Sequence, residues 1–152
     1  MNRLRAGEWV AAAGSVGLLV VLFFQWFAVG AFGRSGWSTL GWLMDLLLCL
    51  AIFGGLSLSY MTVKRTSPAW PVGAAVLTVG LGVLIFLVLV VRVTIAQPGV
   101  DALVSVQLPA YLGLLFAILI PVGGFVSLKD ERTDSPEAVA YTPPPAQTAP
   151  GT

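Results

Sequence analysis

Histidine is absent from this chain of 152 residues, and cysteine occurs once, at Cys49. A single cysteine excludes an internal disulfide, and the lack of histidine excludes His/Cys metal clusters. It also removes the usual base that activates a Ser or Cys nucleophile. Charge is scarce: Asp, Glu, Lys and Arg together make up 10% of the residues, where a soluble domain carries about a quarter. With 57% of the residues hydrophobic, so few charges cannot cover a water-soluble core, and the chain reads as an integral membrane protein. A net charge of +1 offers no basic surface for nucleic acid, and no nucleic-acid partner is expected. Phosphate-binding, dinucleotide-binding, nucleophile-elbow and zinc-protease patterns are all missing. The adjacent acids Asp130 and Glu131 fall in a polar tail that would not position them. The expectation is therefore a protein that is not an enzyme and uses no cofactor and no metal.

What the chain has in quantity is long apolar runs. Four of them are long enough to cross a bilayer, at about 20 residues per crossing: residues 9–29, 38–60, 69–92 and 109–128. A short basic head with Arg3 and Arg5 precedes the first run. That run exceeds the roughly 7–15 apolar residues of a secretory signal, so it reads as a retained span. The link Gly30 to Gly36 is short and Gly-rich, which suits a tight connection between antiparallel helices, and Ser38 or Thr39 is placed to cap the second. Gln97-Pro98-Gly99 signals a turn, and the following VDALVSVQL could lie as a short interfacial helix. Pro121 predicts a kink in the last span. Residues 129–152 hold mixed charges and five of the ten prolines, which predicts a disordered tail. The expected fold is all-α: an antiparallel four-helix bundle over residues 1–128 followed by that tail.

Orientation follows from the cations. Arg3, Arg5, Lys64, Arg65, Lys129 and Arg132 fall on one side of a four-span chain, and only Arg34 and Arg92 on the other. The positive-inside rule places both termini in the cytoplasm. Trp9, Tyr60 and Trp70 would then mark the inner boundary, and Trp26, Trp37 and Tyr111 the outer one.

Small residues recur every four positions in each run: Gly7, Ala11 and Ser15; Ala51, Gly55 and Ser59; Ala74, Thr78 and Gly82; Gly113 and Ala117. Such stripes let membrane helices approach closely. Cys49 reads as one more small packing residue.

One carboxylate, Asp45, lies inside the apolar runs. Placing a charge mid-span costs about 2.5–3.5 kcal/mol, so such residues usually face the bundle and have a partner. At about 1.5 Å per residue, Asp45 and Gln25 lie roughly 8–10 Å to the outer side of mid-membrane, and Arg92 about 15 Å. An intramembrane polar cluster is expected, with Asp45 paired to Arg92 and Gln25 as a third member. Arg34 is an alternative partner for Asp45, and solvation by outer water is another.

The segments Arg5-Ala6-Gly7-Glu8-Trp9, Phe23-Phe24-Gln25-Trp26-Phe27 and Gly36-Trp37, with Asp45 further on, resemble uncharacterised small four-span integral membrane proteins of high-GC bacteria. Those often carry Pro where Gln25 stands, so the chain departs from the pattern there. The resemblance covers the front part of the chain and implies the architecture and no activity. Two functions fit: a structural or interaction component of the cell membrane, or a small oligomeric transporter or channel that uses Asp45. Expected partners are membrane lipids, with a membrane protein or a second copy of the chain as candidates.

Overall fold

A computed structural model describes residues 6–64, 69–97 and 104–132. The fold is mostly helical: α1 (Ala6–Val21), α2 (Gly36–Leu40), α3 (Trp42–Lys64), α4 (Ala69–Thr94) and α5 (Leu108–Arg132). Three short strands join them: β1 (Gln25–Val29), β2 (Phe32–Ser35) and β3 (Val104–Val106). Among the described residues, three helical stretches are long and apolar enough to cross a membrane: Trp42–Tyr60, Gly73–Thr94 and Leu108–Lys129. The α1 helix is apolar but shorter, at 16 residues. This is a multi-pass membrane protein.

The α1 helix packs chiefly on α5 and also on α3, and α4 packs on the same two helices. Small residues set these contacts. The buried stripe of α1 is Gly7, Glu8, Ala11, Gly14, Ser15, Leu18 and Val21, a three-and-four spacing that keeps one face of the helix on its neighbours. A Cβ at Gly7 would stand 2.7 Å from the Gly123 carbonyl oxygen, and one at Gly14 would stand 2.9 Å from that of Phe116. A Cβ at Gly55 would meet the Ala11 carbonyl oxygen at 3.1 Å, and one at Gly82 the Pro121 ring at 2.7 Å. Backbones this close exchange dispersion contacts along their length, which is how helices associate where lipid removes the hydrophobic drive. Ala11, Ser15, Ala51, Thr78 and Ala117 are all buried.

The structure departs from the expected spans in four places. The first helix ends at Val21 rather than near residue 29. Its last turns tighten, with Phe23 and Phe24 donating to the carbonyls of Val20 and Val21 three residues back. The indole N–H of Trp26 then donates to the Val21 carbonyl at 2.9 Å, satisfying an end that helix geometry leaves open. Second, the Gly-rich link is a β-hairpin: β1 and β2 pair antiparallel, with Val29 opposite Phe32. Gly30 takes φ +58° at the first central position of the two-residue turn, as type II′ hairpin geometry requires. Third, β3 replaces part of the expected interfacial helix and pairs with β1, giving the order β2-β1-β3. Fourth, the second span begins at Trp42, because Gly41 (φ +85°) breaks the helix after the short α2. Ser38 and Thr39 cap nothing there; their hydroxyls donate back to the Ser35 carbonyl. The α5 helix runs on through Pro121 to Arg132. The tail beyond 132, where disorder is expected, lies outside the described residues.

The sheet lies at one end of the helices. Trp26, on β1, is the largest fully buried side chain among the described residues, seated where a Cβ at Gly113 of α5 would collide with its ring and one at Gly36 of α2 would press on it at 3.1 Å. It is therefore a core residue rather than a marker of the outer membrane boundary. At the opposite end the start of α1 meets the ends of α3 and α5. There the Ser59 hydroxyl donates to the Glu8 carbonyl at 2.9 Å, and Gly7 abuts Ser127.

Candidate functional site

The polar groups expected to gather around Asp45 sit on two different parts of the sheet end. Asp45 lies in the first turn of α3, not in its middle. Its amide donates to the Gly41 carbonyl at 3.0 Å, closing that turn. The first turn of a helix carries the positive end of the macrodipole, which favours a carboxylate by about 0.3–1 kcal/mol. The side chain is half-buried, and its Oδ1 is enclosed without a hydrogen-bond partner.

Arg92 occupies the last turn of α4, where the negative end of the dipole favours a cation. Its guanidinium donates to the Thr39 carbonyl at 3.2 Å and to the Ala96 carbonyl at 3.0 Å. The Ala96 bond exists because the chain folds back as α4 ends: the Val91 carbonyl accepts from both Ile95 and Ala96, each at 2.8 Å. The Thr39 bond ties the end of α4 to α2. Arg92 and Asp45 thus meet the same short α2–α3 junction, one through Thr39 and the other through Gly41. No ion pair or hydrogen bond joins the two side chains among the described residues.

Gln25 and Arg34 lie apart from that junction, on the hairpin. Gln25 is exposed on β1 in register with Ser35, with its amide lying over Gly33. Arg34 is exposed on β2, opposite Phe27.

Three polar residues lie deep among the helices without any sequence signal that marks them as a site: Glu8, Ser15 and Thr78. Glu8 is 2% exposed on the α1 face toward the other helices. It looks like part of the basic head, and only its position on the Gly7–Ala11–Ser15 stripe hints at burial. Ser15 returns its hydroxyl to the Ala11 carbonyl at 2.9 Å. Thr78 is fully buried against Gly54, with Oγ1 unpartnered. Among the described residues there is no group of three or more His, Cys, Asp or Glu placed to hold a metal.

No protein-family model, no curated protein and no solved structure matches the chain.

Proposed function

We propose that the chain is a non-enzymatic structural or interaction component of the cell membrane. In this reading α1, α3, α4 and α5 form an antiparallel four-helix bundle with both termini cytoplasmic, and the three-stranded sheet faces the other side. The observation that carries it is the closeness of the helices. At Gly7, Gly14, Gly55, Gly82 and Gly123 the neighbouring chain leaves no room for a methyl group, and interfaces so tight favour a fixed scaffold over helices that slide or part. The sheet end offers a surface for another membrane component, with Phe32 at the hairpin turn 83% exposed.

The unpartnered Oδ1 of Asp45 favours a second reading, a small transporter or channel. Proteoliposome flux separates the two. The scaffold reading predicts proton and cation flux no greater than in empty vesicles, for the natural chain and for Asp45→Asn alike. It also predicts that Asp45→Asn acts only on melting temperature or on recovery of a partner in gentle detergent. A flux that the natural chain supports and Asp45→Asn abolishes would establish transport instead.

A further inference from the structure

The lipid-facing side of α4 carries a groove of about 270 Å³ lined by Leu87, Val88, Val91, Arg92 and Ala96. We propose that this groove is a binding site for one anionic phospholipid, with an acyl chain along Leu87, Val88 and Val91 and the phosphate on Arg92.

Three features of the geometry converge on that ligand. The first is length. From Leu87 to Thr94, where α4 ends, the helix rises about 10 Å, about two-thirds of the half-thickness of a hydrocarbon core about 30 Å across. The second is depth. Arg92 lies near the end of the Gly73–Thr94 span, about 13 Å from its midpoint, just inside the edge of the hydrocarbon at about 15 Å, and its long side chain spans the rest of the way to a lipid phosphate. The third is charge. Both groups that hold the guanidinium, the carbonyls of Thr39 and Ala96, are neutral. They fix its position and leave its positive charge uncompensated by any carboxylate among the described residues. Two of its five N–H groups are engaged in this way, and a guanidinium fork matches the paired oxygens of a phosphate. The groove's other lining residues are apolar, so it selects a chain rather than a free ion. The site lies in the leaflet on the sheet side, and it rests on the membrane spans alone, not on which side of the cell that leaflet faces.

Native mass spectrometry of the protein taken from nanodiscs of equal phosphatidylglycerol and phosphatidylcholine tests this. One Arg at the membrane surface corresponds to about a five-fold preference for the anionic lipid, and that ratio is expected for the natural chain. Arg92→Gln should bring the ratio to about one. Val91→Trp fills the groove while keeping Arg92 and its two bonds, so it should lose the retained lipid; it decides the matter if Arg92→Gln does not fold. Excess inorganic phosphate should leave the bound phosphatidylglycerol in place. Equal retention of the two lipids by the natural chain would overturn the site. So would a preference that survives Arg92→Gln, unchanged retention in Val91→Trp, or stripping of the lipid by phosphate.

Discussion

Asp45 shows how far a single residue can be read. Its presence in an apolar run marks it as unusual, and hydropathy alone puts it well inside the second span. What hydropathy does not reveal is that Gly41, at φ +85°, ends one helix and starts another. That break moves Asp45 into a first turn, where an acid is favoured. Glu8 is the converse case. It sits beside charged residues in sequence, and only the close approach of α1 to its neighbours buries it. The spacing of small residues marks Gly7, Gly55, Gly82 and Gly113 as packing positions, whereas Gly14 and Gly123, packed as tightly, fall outside those stripes and only the structure shows them. A Cβ at Gly123 would lie 2.8 Å from the Cα of Ala11, whereas one at Gly80 meets nothing within 4 Å. Gly123→Ala should therefore lose about 1–3 kcal/mol through overpacking. Gly80→Ala should be neutral or gain up to about 1 kcal/mol from helix propensity. Reversible unfolding in mixed detergent measures both, and equal effects at the two positions would contradict the assigned interface.

At the scale of elements, the helices were legible and the strands were not. The residues of β1, QWFAV, extend the run of α1 with one polar residue and four apolar or aromatic ones, and so short a stretch has no period that separates strand from helix. What decides between them lies far off in the chain. Gln107 donates to the Trp26 carbonyl at 2.9 Å, and β3 pairs with β1 across a long separation in sequence. Trp26 joins sheet to helices, so Trp26→Ala should reach beyond its own site. It opens a cavity, removes one of the two hydrogen bonds that the Val21 carbonyl accepts, and should lower stability by about 3–5 kcal/mol. Faster amide exchange at residues 25–29 and 104–106, with α4 unchanged, is the expected signature. Uniform exchange across the helices would mean that Trp26 does not hold the sheet.

For the whole molecule, the short first helix matters most. At 16 residues, α1 spans about 24 Å, less than a hydrocarbon core of about 30 Å. Its contacts nevertheless run along α5 from Ser127, beside Gly7, to Phe116, beside Gly14 and Gly17. Trp26 carries the contact on to Gly113, so helix and strand together cover the length that one longer helix was expected to cover. The start of α1 and the end of α5 therefore lie together at the end opposite the sheet, the arrangement that the proposed four-span bundle calls for. A membrane-impermeant thiol reagent applied to intact cells tests this directly, using single-cysteine variants in a Cys49→Ala background. Ala31→Cys, in the hairpin turn, should be labelled at once, and Ala6→Cys, at the start of α1, only after the cells are permeabilised. Labelling of both in intact cells, or of Ala6→Cys alone, would contradict the account.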